Sequence, residues 1–210
     1  MEKAQDRYIR EHSTRPEEAL EWIEKQTNIH TNYPRMLSGS VQGELLRILV
    51  GATGAERVLE IGSFTGYSAA CMALGMSGGG HIDALEINDE LEPLMREGWL
   101  RAGVADRITL HIGDAREILP GLEGPYDFVF IDANKREYSS YLDLVYGKVR
   151  KGGLIVADDV LWDGKVYAYP LPRDAQTEGL LSFNDKVVSD PGLEVVMLPL
   201  RDGLSIIRKK

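Results

Sequence analysis

The 210 residues carry 24 Lys and Arg against 33 Asp and Glu, a formal net charge of −9, which disfavours generic binding to a phosphate backbone. With 43% hydrophobic and 27% charged residues, the composition is that of an ordinary globular chain, long enough for a single domain over 1–210 with a substantial core. Cys71 is the one cysteine, so no intrachain disulfide forms; no apolar run nears the ~20 residues of a membrane span and the charged N-terminus lacks a signal-peptide core, so a cytoplasmic, membrane-free protein is expected.

Residues 2–12, 16–27 and 39–52 read as helices ahead of the first strand, the second opened by Pro16 at a first-turn position. From there short apolar runs alternate with amphipathic stretches. The runs are "RVLEIG" (57–62), "HIDALEI" (81–87), "RITLHIGD" (107–114), "YDFVFID" (126–132) and "GGLIVADD" (152–159), each of strand length and rich in Val, Ile, Leu or Phe. Between them, "NDELEPLMREGWLRAG" (88–103) sets Leu91, Leu94, Met95 and Trp99 on one helical face, with Asn88 to cap its start and Gly103 where helices stop. Such alternation predicts βαβ units and a mostly parallel sheet. At the end, "LEVVMLPL" (193–200), "RDG" and "LSIIRK" (204–209) predict an antiparallel hairpin with a three-residue turn. The expected architecture is α/β: five parallel strands extended by the hairpin into a seven-stranded sheet, with extra N-terminal helices.

The first strand leaves through Gly62 and Gly66 into a helix of small residues, "GYSAACMALG". Ligands of open α/β sheets sit beyond the carboxyl ends of the strands, where a glycine turn allows close approach to the backbone. The spacing G-x-x-x-G differs from the G-x-G-x-x-G of NAD enzymes, which argues against an NAD oxidoreductase. Glu60 precedes the turn and Glu86 ends the second strand, about 20 residues or more along, where a ribose diol is typically held. Asp114, in "GDA" (113–115), stands where an adenine amino group can be met. The plain alternative is that Glu60 is solvated at a strand end and the glycines merely serve the turn. Three acids at three strand ends fit a nucleoside without phosphates and point to S-adenosylmethionine.

The fourth strand ends at Asp132 and the fifth at Asp158 and Asp159. Neighbouring strand ends share one edge of a parallel sheet, so the three carboxylates can converge. Left uncompensated they repel and raise one another's pKa; a hard divalent cation such as Mg²⁺, Mn²⁺ or Ca²⁺ resolves the conflict with oxygen ligands. The alternative for each is a helix cap, with Asp132 capping "ANKREY" and Asp159 ending its strand.

With these motifs in place the sequence resembles the metal-dependent class I O-methyltransferases, the catechol and caffeoyl-CoA group and their bacterial relatives. "EIGSFTGYSA", "ALEIN", "GDA", "FIDANK", "GGLIVADDVLW" and "LPLRDGL" occur in that family's order. The resemblance implies a doubly wound, Rossmann-like fold with residues 1–52 forming part of a lid and 53–210 the core. It implies that Asp132, Asp158 and Asp159 hold the metal and that Lys135 is the catalytic base, beside Asp132. It places cofactor-binding positions on Ser38, Glu60, Gly62, Ser63, Phe64, Ser68, Glu86, Ile87, Asp114, Ala115 and Asp132, and it implies a homodimer. Two residues depart from the family: Asp159 stands where Asn is usual, and Asn134 replaces an acid.

The implied reaction is S-adenosylmethionine- and divalent-metal-dependent methylation of one hydroxyl of a small vicinal diphenol, of catechol, caffeoyl or flavonoid type. A phenol with pKa near 10 is a poor nucleophile at neutral pH; Lewis-acid polarisation lowers that pKa and Lys135, if the nearby metal charge depresses its own pKa, can take the proton. Lys135 can equally be a solvated helix residue. Trp162, Tyr167, Tyr169 and Tyr138 are candidates to wall a flat acceptor ring, with core or dimer packing as the alternative. Cys71 reads as inert core, and the scattered His12, His30, His81 and His111 form no ligand set. The competing functions are methylation of a hydroxyuridine in tRNA, against which the acidic balance weighs, and a non-catalytic nucleoside-binding module.

Overall fold

The structure, a computed structural model, describes residues 4–210. Two compact units emerge, one made of Met1–Glu56, Ser63–Ile82 and Asn88–Thr109, the other of Arg57–Gly62, Asp83–Ile87 and Leu110–Lys210.

The first unit holds helices α1 (Ala4–Glu11), α2 (Glu18–His30), α3 (Gly39–Thr53), α4 (Tyr67–Gly75) and α5 (Glu92–Arg101). Residues 2 and 3 of the expected first helix lie outside the described residues. Pro16 does not open α2; Glu17 takes the N-cap and the helix runs on to His30. It ends there because Thr31 turns extended at the C-cap, its N–H still bonded to the Thr27 carbonyl. The expected helix over 88–103 is likewise divided. Asn88 accepts from the Glu90 N–H, a 3₁₀ turn covers Asp89–Leu91, and α5 follows with Pro93 in its first turn. Met95 and Trp99 are buried while Leu91 and Leu94 are half-buried. α3 and α4 pack closely through Gly43, where a Cβ would meet the Cys71 sulfur at 2.7 Å; Cys71 is buried, as expected.

The strands are β1 (Arg57–Ile61), β2 (His81–Glu86), β3 (Ile108–Ile112), β4 (Tyr126–Ile131), β5 (Val149–Ala157), β6 (Leu193–Leu198) and β7 (Leu204–Lys209). They form one seven-stranded sheet in the order β3-β2-β1-β4-β5-β7-β6. Strand order reverses between β1 and β4, as in doubly wound sheets, whose ligands bind at such a switch point. β1, β4 and β5 are parallel, and β7 and β6 add the antiparallel hairpin. The hairpin loop is five residues rather than three: Pro199 has no N–H for the ladder, so β6 ends at Leu198. Three helices complete this unit, α6 (Ala115–Ile118), α7 (Tyr138–Tyr146) and α8 (Ala175–Ser189). Its core joins Leu59, Ile61, Val129 and Ile131 of the sheet to Leu142 of α7 and Phe183 of α8. No helix among the described residues is long and apolar enough to cross a membrane.

Candidate active site

Register explains why three aspartates meet. Ile61, Ile131 and Ala157 are aligned partners across β1, β4 and β5, and the strands end there, one residue before the predicted acids. The ladder nonetheless continues one step: the Asp132 N–H donates to Ile61 O and the Asp158 N–H to Ile131 O, each at 2.9 Å. Adjacent parallel strands lie about 4.8 Å apart, so Asp132 and Asp158 leave the sheet side by side. The chain then turns sharply at Asp159, whose φ is +57°, a left-handed conformation that Asp and Asn tolerate better than other side-chain-bearing residues. The Asp159 N–H donates to its neighbour's Asp158 Oδ1 at 2.8 Å. Carboxylate oxygens of Asp132, Asp158 and Asp159 all lie within 4.8 Å of one another. The capping alternative for Asp132 is overturned, because Asn134 caps the next turn by accepting from the Arg136 N–H.

Gly62 makes room for this edge. Its φ is +92°, and a Cβ there would lie 2.1 Å from the Asp132 carbonyl oxygen. From the far side, α8 presses Gly179 against the 3₁₀ turn of Lys135–Glu137, with a Cβ 2.6 Å from the Lys135 carbonyl oxygen.

Lys135 is not a solvated helix residue; it is buried. Its ammonium donates to Asp132 Oδ1 at 2.7 Å and to the Tyr138 hydroxyl at 2.9 Å, and pairs with Asp159 Oδ2 at 2.8 Å. Burial pulls the Lys135 pKa down, but the charges of Asp132, Tyr138 and Asp159 and the bond to Asp132 outweigh it and hold the value well above that of an ordinary lysine. A depressed value is expected only beside a metal's charge; the two carboxylates in contact with Lys135 act in the opposite direction. Asp132 is pushed up by burial, with Asp159 adding to the shift against the pull of Lys135. The Lys135 direction follows from two carboxylates in contact with one ammonium, and the Asp132 direction from burial first and the neighbouring Asp159 charge second.

Tyr138, expected among the walls of an acceptor ring, is instead fully buried. It packs edge-on against Phe183 with ring centroids 5.4 Å apart and donates to the Asp158 carbonyl at 3.0 Å. Burial raises its pKa strongly. Tyr167 and Tyr169 are exposed, and Trp162 is half-buried with its ring 5.2 Å from the Lys165 ammonium.

The profile of the O-methyltransferase family matches residues 10–210. The chain belongs to the O-methyltransferase family. It is 35% identical over 217 residues to caffeoyl-CoA O-methyltransferase of Eucalyptus gunnii, covering 96% of this chain and 86% of that protein. Tricin synthase 2 of Oryza sativa subsp. japonica is 34% identical over 197 residues, which cover 87% of this chain and 66% of that enzyme. Among solved structures, the O-methyltransferase from Bacillus cereus in complex with SAH superposes with a TM-score of 0.91 at 28% identity, covering 99% of this chain and 98% of that one.

In this O-methyltransferase the residues expected to bind cofactor fall in both units. In the sheet unit Glu60 is fully buried within β1, which overturns the solvated alternative. Glu86 ends β2, nearly buried, and accepts from the Ile87 N–H at 3.0 Å, while the Ile87 side chain is 71% exposed. Asp114 caps α6 by accepting from the Arg116 N–H and holds the Arg116 guanidinium at 2.6 and 3.1 Å. These bonds from Arg116 lower its pKa. Ala115 opens α6 behind it. In the helical unit Ser38, Ser63 and Ser68 are buried and Phe64 is held at a φ of +49°. Two side-chain bonds tie the turn between Ser63 and Ser68 to neighbouring helices: Gly66, at φ +80°, accepts from the Trp99 indole at 2.9 Å, and Thr65 bonds Thr27 at 2.8 Å. Sequence reasoning missed the Tyr138 hydroxyl and Gly179; the three-residue step from Lys135 to Tyr138 is the signal that was available for the first.

Proposed function

We propose that this O-methyltransferase uses S-adenosylmethionine and a divalent metal to methylate one hydroxyl of a small vicinal diphenol. The observation that carries the reading is the carboxylate triad of Asp132, Asp158 and Asp159 held against the buried Lys135 ammonium. The donor set fits a hard cation, because all three ligands are oxygens and their charge exceeds what one ammonium offsets. S-adenosylmethionine is supported by the SAH complex of the Bacillus cereus relative and by Glu86 and the glycine turn, with Ser38, Glu60, Gly62, Ser63, Phe64, Ser68, Ile87, Asp114, Ala115 and Asp132 as the other cofactor positions. The named caffeoyl-CoA relative supports a phenolic acceptor.

When bound, the metal supplies Lewis-acid polarisation of a phenol and the cofactor supplies an electrophilic methyl group. The chain supplies orientation and proton handling. Asp132 and Asp158 fix ligand oxygens through their ladder bonds, and Asp159 does so through its left-handed turn. Lys135 Nζ is the group placed to hold the acceptor's proton. As long as Asp132 and Asp159 are free to bind it, Nζ stays charged, so it accepts a proton only when their charge is otherwise offset. A homodimer and a cytoplasmic location complete the proposal. The decisive assay measures methyl transfer to a catechol panel and to bulk tRNA, with and without EDTA. Transfer to catechols abolished by EDTA is the expected result. EDTA-resistant turnover sinks the metal, and activity on tRNA alone replaces the acceptor.

A further inference from the structure

A lysine ammonium has three N–H donors and no acceptor. Lys135 donates to Asp132 Oδ1 at 2.7 Å and to the Tyr138 hydroxyl at 2.9 Å, and pairs as an ion with Asp159 Oδ2 at 2.8 Å. Two of these partners belong to the carboxylate triad and the third does not. The Tyr138 hydroxyl spends its own proton on the Asp158 carbonyl at 3.0 Å, which leaves its lone pairs directed to Lys135. It cannot drift, because its ring is fully buried against Phe183 and Gly179 clamps the Lys135 turn from α8.

We propose that Lys135 is the resident counter-cation of the triad, competing with a divalent ion for Asp132 and Asp159, and that Tyr138 is the positioning residue that keeps its ammonium in place once that ion has taken them. The inference rests on the metal reading above and adds to it an order of events within the chain. Without a metal, the ammonium offsets part of the negative charge and keeps the carboxylates together. With one, Lys135 yields one or both carboxylates, and a buried ammonium left with no partner would be costly. Tyr138 is the partner that the metal does not compete for.

The two side chains should therefore act on metal affinity in opposite directions. Calorimetric titration with Mg²⁺ and with Mn²⁺, read without substrate, compares the wild type, Lys135→Met, Tyr138→Phe and the double variant. Lys135→Met removes the competitor and should bind metal at least about tenfold more tightly. Tyr138→Phe strands the displaced ammonium and should bind on the order of tenfold more weakly. In the Lys135→Met background the Tyr138→Phe change should have no effect, because no ammonium remains to be held. Weaker or unchanged binding in Lys135→Met overturns the competition. An equal loss from Tyr138→Phe in both backgrounds means that Tyr138 merely supports Asp158, which overturns its positioning role. If Lys135→Met does not fold, Lys135→Gln takes its place, and unchanged affinity in Tyr138→Phe alone still refutes the positioning. If the wild type binds neither ion, the metal reading falls. The melting temperature of the metal-free protein then decides the counter-cation role: it should drop in Lys135→Met, and no drop overturns it.

Discussion

Replacing Gly62 by alanine tests whether the close approach of β1 to the Asp132 backbone builds the site. Two costs add. The residue sits at φ +92°, where a side-chain-bearing residue pays about 1–2 kcal/mol. The new Cβ would also stand 2.1 Å from the Asp132 carbonyl oxygen and 3.0 Å from Ala133 Cα. Both are backbone atoms, so no side chain can swing away and the strands themselves must part. Parting them strains the bond from the Asp132 N–H to Ile61 O, and leaving such a buried pair unsatisfied costs about 1–3 kcal/mol. The expected total is about 2–5 kcal/mol, a large share of the ~5–15 kcal/mol that stabilises a folded domain. Gly152→Ala is the control, in the same unit at φ +76° with only a guanidinium nitrogen 3.4 Å from the new Cβ, so it carries the backbone cost alone. Urea denaturation at a slope of ~2 kcal/mol per M should place the Gly62→Ala midpoint about 1 M below that of Gly152→Ala. Midpoints within roughly 0.3 M of each other would refute the close-approach argument, whatever the absolute loss.

Three further outcomes follow from particular side chains. Glu86→Ala should weaken S-adenosylmethionine binding at least several-fold, from the loss of a charged acceptor worth about 1.5–3 kcal/mol; an unchanged dissociation constant removes Glu86 from the cofactor site. Asp159→Asn should fold normally, since Asn also suits the left-handed turn, yet bind Mg²⁺ more weakly. The lost charge acts on a divalent ion twice as strongly as on the competing Lys135, and tighter binding would show that Asp159 does not touch the metal. Buried Tyr67, Tyr126 and Tyr138 all have pKa values raised first by desolvation. A raised folded value means stability fully present below the unfolded tyrosine pKa, ~10, and lost as pH climbs beyond it. Tyrosinate absorbance should therefore lag in the folded protein and stability fall above that pH; tyrosines ionising freely while the fold persists would contradict their burial.

What could be read from the residues was whatever depends on local pattern. Strand-length apolar runs broken by acids gave the strands and their ends to within a residue or two, because side-chain alternation and burial are written along the chain itself, except that β5 begins at Val149, three residues ahead of its expected start. The triad followed from topology, since acids at the ends of two parallel strands must share an edge. Prolines spoiled details: Pro93 and Pro199 each set a boundary by removing an N–H or fixing φ where the apolar pattern alone ran on, and Pro16, expected to open a helix, lies outside α2.

The state of Lys135 is of a different kind, and its illegibility has a physical cause. Nothing in "FIDANKREY" says whether the lysine faces water or the triad. That is decided by Asn134, which takes the cap and frees Asp132; by Gly179, more than forty residues away, which lets α8 press on the turn; and by Phe183, which fixes the Tyr138 ring. The expectation of a depressed pKa considered a metal's positive charge and left out the two carboxylates already in contact. At 2.7 and 2.8 Å those contacts dominate any longer-range field, because Coulomb energy falls with distance and rises as the surroundings lose water. The same side chain is thus an acid's counter-ion or a base according to what else neutralises Asp132 and Asp159. Residue type and spacing bring these groups together, but charge balance within the folded site decides which role Lys135 plays.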